Sequence, residues 1–148
     1  MATLIENKKV RFNYEIMEEF EAGVELTGSE VKSLRYKKAS LEGAYISVRG
    51  GEAFLLGATI APYQPKNIDK SYDKERPRKL LLTKKEIGIL SGHEQKRGLT
   101  IVPISLYNKG RNLKLRIAVV RGKKKFDKRE TIKKRDTERE LRRSLKYE

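Results

Sequence analysis

The chain has no cysteine and a single histidine, His93. Without thiols, disulfides and thiolate zinc sites are excluded. One imidazole leaves little for general acid–base chemistry, because a catalytic base needs a positioned partner, and Gly92 and Glu94 beside His93 do not identify one. There is no nucleophile elbow, no glycine-rich phosphate loop and no zinc-ligand spacing, so neither catalysis nor a cofactor is expected. No apolar run approaches the roughly 20 residues of a membrane span. The opening stretch MATLIENKKVRF lacks the apolar core of a signal peptide. These absences lead us to expect a cytoplasmic protein, without a membrane partner, that folds as a monomer. Proline is sparse too: three of the four prolines lie between residues 62 and 77.

What the chain has is positive charge. Its 35 Lys/Arg outnumber 20 Asp/Glu, a net charge of +15. From Arg121 onward, RGKKKFDKRETIKKRDTERELRRSLKYE holds 13 Lys/Arg and 6 Asp/Glu, leaving +8 for the residues before it. Such a balance points to nucleic acid or an anionic surface. The end segment has four large aliphatic or aromatic residues before Tyr147: Phe126, Ile132, Leu141 and Leu145. It cannot bury enough apolar area to offset its ordering entropy, so alone it is expected to be disordered. Its charges nonetheless suit a helix. Glu130–Lys134 and Glu138–Arg142 are four apart with the acid first, and Asp127 with Glu130 matches a capping box. A helix that orders on a polyanion is the simplest reading.

Three units follow: a flexible start (1–10), a domain (11–121) and a basic tail (122–148). Residues 12–26 alternate, with Phe12, Tyr14, Ile16, Phe20, Ala22, Val24 and Leu26 on one parity, interrupted at Met17 and Glu18. That is a long strand, with Gly23 a candidate bulge. Thr27 with Glu30, and Thr83 with Glu86, are capping-box patterns that start helices running to about Lys38 and Lys96, the second stopped by Gly98. Val31 and Leu34 should face the core. Around Gly50-Gly51, Ala44, Ile46 and Val48 and then Phe54, Leu56, Ala58 and Ile60 predict a hairpin. A basic loop spans 62–77, a short strand covers 78–82, and strands 99–107 and 112–120 close the domain as a second hairpin. About six strands and two helices result. The expected fold is mainly β with short helices: a small antiparallel OB-like barrel plus the disordered basic tail.

Glu30 admits two readings. It can cap its own helix, or it can accept from an RNA base edge or 2′-hydroxyl, the one use for a carboxylate on a surface that binds phosphate. In the basic loop, Tyr63 and Tyr72 among lysines offer stacking next to phosphate contacts. A nucleic-acid-binding adaptor, a structural ribosomal protein with a basic extension, and an RNA-processing enzyme remain open on these grounds, the last weakened by the shortage of catalytic groups.

Longer strings narrow this. FEAGVELTGSEVKSLR (20–35), RKLLL (78–82), TIVPISLYNKG (100–110) and GKKKFDKRE (122–130) resemble, in the same order, the small protein B family of bacterial transfer-messenger RNA (tmRNA) binding proteins. The resemblance implies an OB-like barrel that binds the tRNA-like domain of tmRNA and delivers it to stalled ribosomes for trans-translation, without catalysing a reaction. It also implies a tail that becomes helical in the empty messenger channel next to the decoding centre and ribosomal RNA. Alanyl-tRNA synthetase and elongation factor Tu are implied as further partners acting on the same RNA.

Glu30 matches the family glutamate of G-T-E-V-K-S-L-R, linked to RNA binding, with Ser29 in place of Thr. Lys32 and Arg35 match its basic positions. Arg76, Arg78 and Lys79 fall in the basic run before three leucines, though Asp73-Lys74-Glu75-Arg76-Pro77 departs from the family's Asp-Pro-x-Arg order. Lys123, Lys124, Lys125, Phe126, Asp127, Lys128 and Arg129 match the tail motif, with Phe126 where Tyr or His is common. A helix over 128–146 would extend nearly 30 Å, at about 1.5 Å per residue.

Overall fold

The computed structural model describes residues 2–63 and 72–122. The elements run β1 (Ala2–Glu6), α1 (Val10–Asn13), β2 (Tyr14–Val24), α2 (Gly28–Arg35), β3 (Ala39–Ser40), β4 (Tyr45–Arg49), β5 (Glu52–Leu56), β6 (Thr59–Ile60), β7 (Arg78–Leu81), α3 (Lys84–Glu94), β8 (Leu99–Lys109) and β9 (Asn112–Gly122). Seven strands form one antiparallel sheet in the order β1-β8-β9-β2-β7-β5-β4, and β3 pairs with β6. The fold is mainly β with short helices, as expected. The sheet is OB-like and brings β4 alongside β8, yet no ladder among the described residues closes it into the expected barrel. β1 takes the edge of β8 only at Ser105–Asn108, and β9 takes the other edge; along the rest of β8 no ladder to β4 forms.

The start of the chain is not the flexible segment expected. Ala2–Glu6 adds to β8 as an edge strand and buries Ile5, and Val10 on α1 is buried as well. A strand of five residues with a bulge at Leu4 leaves too short an alternation to read from sequence.

The long strand β2 carries its bulge at Met17, not at Gly23: the pairing with β9 shifts between Ile16 and Glu18. One extra residue flips which parity faces which side. Tyr14 and Ile16 therefore pack with Val10, Val102, Ile104, Ala118 and Val120, a small cluster on one side of the sheet. Beyond the bulge, Phe20 and Ala22 join the main core with Leu34, Leu80, Ile117 and Val119. A matching shift between Pro103 and Ser105 in β8 does the same. The interruption at Met17 and Glu18 is the visible trace of this switch. Gly23 serves a different need, since a Cβ there would lie 3.1 Å from Leu81 Cβ.

The first hairpin forms around Gly50-Gly51, both at positive φ. Its second strand stops at Leu56, because Gly57 takes φ +77° and redirects the chain into β6. Ala53 and Leu55 face the core, and Phe54 and Leu56 stay half-buried, opposite to the alternation expected. The last hairpin turns through Gly110-Arg111 one step later than expected, with Lys109 paired to Asn112. The boundary at 121 falls inside β9, which continues to Gly122. The tail motif at 123–129 lies outside the described residues.

Candidate nucleic-acid interface

Helix α2 starts as its sequence dictates. The Thr27 side chain accepts from the Glu30 amide at 3.2 Å, and Glu30 Oε1 accepts from the Thr27 amide at 2.9 Å. The box satisfies two donors that the helix leaves unpaired. At 100° per residue, Glu30, Ser33 and Leu34 share the inner side and are buried, while Lys32, Arg35 and Tyr36 share the outer side and are exposed. Val31, expected in the core, sits half-buried between them.

An acid occupies the inner side because two arginines meet it there. Arg78 on β7 points inward on the same parity as Leu80, is fully buried, and donates from Nε and Nη2 to Glu30 Oε2 at 3.0 and 2.6 Å. It also donates from Nη1 to the Ala58 carbonyl (2.9 Å) and from Nη2 to the Lys74 carbonyl (3.1 Å). Arg76 pairs with Glu30 Oε1. The Tyr72 hydroxyl reaches the Ile60 carbonyl at 2.9 Å and Glu30 Oε2 at 3.2 Å. Burial alone would raise the Glu30 pKa. Arg76, the Thr27 amide and Arg78 outweigh it and hold the carboxyl at about 2, and burial next to this carboxylate pushes the Tyr72 hydroxyl above its ordinary value.

Glu30 thus performs the capping role and a second one absent from the two readings above. It is the anchor for Tyr72, Arg76 and Arg78, the segment in which the basic loop ends. With 1 % of its surface exposed, Glu30 directs its carboxylate to these internal partners, and Arg78, at 0 %, is buried with it. Both residues, expected as RNA contacts, therefore lie below the surface of this structure, and the cause is desolvation: two charges buried together satisfy each other first. Arg76 is one-third exposed along its side chain, so it borders the surface. Lys79 alternates to the opposite face of β7 from Arg78 and pairs with Glu52 at 3.1 Å, apart from Lys32 and Arg35.

On the outer side of α2 and just beyond its end, cations stay free, as they do at other surface positions such as Arg49, Lys84 and Arg111. None of the ion pairs among the described residues involves Lys32, Arg35, Lys37 or Lys38. The polar parity of β2 behaves differently: Glu15 meets Arg121, Glu19 meets Arg116, and Glu21 meets Lys109 and the Tyr107 hydroxyl. Tyr107 and Lys109 hold the Glu21 carboxyl below its usual range. His93 lies 3.2 Å from Glu18, an ordinary surface pairing. Among the described residues no group of three His, Asp or Glu could hold a metal, and no helix is long and apolar enough to cross a membrane.

Helix α2 ends in a Schellman arrangement. Lys38 N–H donates to the Ser33 carbonyl and Lys37 N–H to the Leu34 carbonyl, both at 2.9 Å, with Lys37 at φ +58°. A lysine in this left-handed position costs roughly 1 kcal/mol relative to glycine. Directly next to it, the rings of Tyr36 and Tyr63 stack with centroids 5.4 Å apart, and Lys32 Nζ lies 5.7 Å from the Tyr63 centroid. Sequence reasoning placed Tyr63 in a stacking loop but passed over Tyr36. The available signal was the i,i+4 spacing of Lys32 and Tyr36.

A profile of the SmpB protein family matches residues 4–147. The SsrA-binding protein of Mesoplasma florum is 52 % identical over 141 residues, covering 95 % of both chains. That of Gloeothece citriformis is 45 % identical over 143 residues, covering 97 % of this chain and 92 % of its own. Among solved structures, a chain described under "tmRNA-SmpB: a journey to the center of the bacterial ribosome" superposes with a TM-score of 0.69 at 42 % identity, covering 82 % of this chain and 85 % of that one. With a profile match over nearly the full length and curated relatives of such identity, the chain belongs to the SmpB protein family.

Proposed function

We propose that the chain binds tmRNA, the RNA its SsrA-binding relatives are named for, and accompanies it into bacterial ribosomes for trans-translation. The observation that carries this is the two-sided α2. Its inner acid fixes the end of the basic loop, and the cations on its outer side, Lys32 and Arg35, with Lys37 and Lys38 in the turn that follows, lack carboxylate partners among the described residues and are available to phosphates. In this reading the protein is a non-catalytic adaptor working in the cytoplasm. Lys32, Arg35 and Arg76 contact the RNA, and Lys79 contributes at the margin. Glu30 and Arg78 are positioning residues that act through the loop. The tail motif from Lys123 to Arg129 engages the messenger channel near the decoding centre. Alanyl-tRNA synthetase and elongation factor Tu act on the same RNA.

Titrating the tRNA-like domain of tmRNA against an arbitrary duplex of equal length tests the reading. Affinity should favour the tRNA-like domain at physiological salt and fall as salt rises, because phosphate contacts release counterions. Lys32→Glu with Arg35→Glu should weaken binding and flatten the salt slope. Equal affinity for both RNAs would overturn the proposal.

A further inference from the structure

We propose that Tyr36 and Tyr63 form a platform on which an unpaired base of the bound RNA stacks. The inference deepens the proposed RNA binding and rests on it.

Four features carry it. The first is exposure. Tyr36 keeps 64 % of its surface in solvent although its ring is already stacked, so a further aromatic plane can reach it. A tyrosine needed only for packing would bury its ring. The second is construction. The β3–β6 ladder pairs Ser40 with Thr59 and Ala39 with Ile60, and Ala61 N–H donates to the Lys38 carbonyl at 2.9 Å. Two backbones are thereby carried side by side to the point where the tyrosines meet, and the Schellman bonds of Lys37 and Lys38 fix the approach from the helix. A platform held on both sides loses little freedom when a base arrives.

The third feature is charge. Lys32 lies over the Tyr63 ring, and Arg35, Lys37 and Lys38 flank Tyr36 in the chain. Cations around a stacked aromatic pair meet the two demands of an unpaired nucleotide, a π-face for the base and positive charge for the phosphates on either side. The fourth is the residue at the turn. Lys37 holds a backbone conformation that glycine adopts freely. A charge kept there at the expense of strain fits a site that uses the charge. An apolar protein partner would favour a face free of this many unpaired cations.

The test uses the full chain and the tRNA-like domain of tmRNA. Four proteins are compared: wild type, Tyr36→Phe, Tyr36→Ala and Tyr63→Ala. Thermal melts check the fold, which the Tyr36 changes should leave intact because that ring is exposed. Tyr36→Ala should weaken binding about tenfold, within the range measured for loss of one base–aromatic stack, while Tyr36→Phe should stay within about twofold of wild type. The salt dependence should be unchanged in all three variants, since no phosphate contact is removed. Ring resonances of Tyr36 and Tyr63 should move upfield when the RNA is added. Wild-type affinity in Tyr36→Ala would overturn the platform while leaving RNA binding in place. Loss of affinity in Tyr36→Phe, or a loss in Tyr36→Ala without ring shifts in the wild type, would replace stacking by another contact and also overturn it. Failure of the wild type to bind would instead remove the RNA-binding reading on which the platform rests.

Discussion

Helices α2 and α3 open with the same device and use it differently. Thr27 and Glu30 form a reciprocal box, and so do Thr83 and Glu86, with the amide-to-hydroxyl bond at 3.2 Å in each. Glu86 is half-buried, and its carboxylate accepts from the Thr83 amide and hydroxyl. Glu30 closes the same box, then offers its remaining lone pairs to Arg76, Arg78 and Tyr72 inside the protein. Identical local sequence logic therefore yields a helix end in one case and the anchor of the proposed RNA surface in the other. The difference is supplied by β7, which places a buried guanidinium opposite one glutamate and not the other.

Neutralising each acid in turn should expose this difference most strongly. Glu30→Gln leaves the Arg78 charge buried without its counterion, and the domain should lose about 3–5 kcal/mol. Glu86→Gln retains a box acceptor and should cost less than about 1 kcal/mol. Urea denaturation of the two variants gives both values; similar costs would erase the contrast.

Acid sharpens the same comparison. The Glu30 carboxyl is held at about 2 in the folded protein, below its ordinary 4.5. A depressed folded value means the carboxylate binds its proton more readily when unfolded. Its stabilisation is therefore fully present above pH 4.5 and lost as pH falls toward 2, on the order of 3 kcal/mol over that window. The wild type should lose this stability in denaturation curves at stepwise lower pH, and Glu30→Gln should show a flatter profile.

The threonines should not distinguish the helices. Thr27→Ala and Thr83→Ala each remove one cap and should each cost about 1 kcal/mol, read from thermal melts. A much larger loss for Thr27 would mean that its hydroxyl also supports the arginine cluster. The smallest expected effect has the opposite sign. Lys37→Gly should raise stability by roughly 0.5–1 kcal/mol by relieving the left-handed lysine at the end of α2.

Features governed by neighbours in sequence were readable in the chain. Both capping boxes and the Gly50-Gly51 hairpin depend on residues within a turn of one another, and each forms where expected, whereas the second helix ends at Glu94, before the expected stop at Gly98. Features set by distant partners were not. Nothing near Ala2–Glu6 announces that β8 has an edge to cover. The parity switch at Met17 makes sense only once a second small cluster exists beneath Val10 and Val120. At the candidate interface, the sequence strings brought forward Glu30, Lys32, Arg35, Arg76, Arg78 and Lys79 as one set. Folding sorts them by depth, because a carboxylate and a guanidinium 48 residues apart desolvate together. That pairing is invisible to local spacing, and it buries Glu30 and Arg78 together beneath the surface cations.

The most direct test combines Glu30→Gln with Arg78→Met and measures affinity for the tRNA-like domain of tmRNA. The glutamine amide keeps an acceptor for the helix cap, and the methionine removes the buried charge that Glu30 otherwise neutralises. The double variant should therefore recover much of the stability lost by Glu30→Gln alone. Restoring the fold does not restore the anchor, because Tyr72 and Arg76 still lack their carboxylate partner, so the folded double variant should bind the RNA more than about tenfold more weakly than wild type, a loss above about 1.4 kcal/mol. A folded double variant that binds within about threefold of wild type, a difference under about 0.7 kcal/mol, would contradict the account, because the RNA surface would then not depend on the buried cluster.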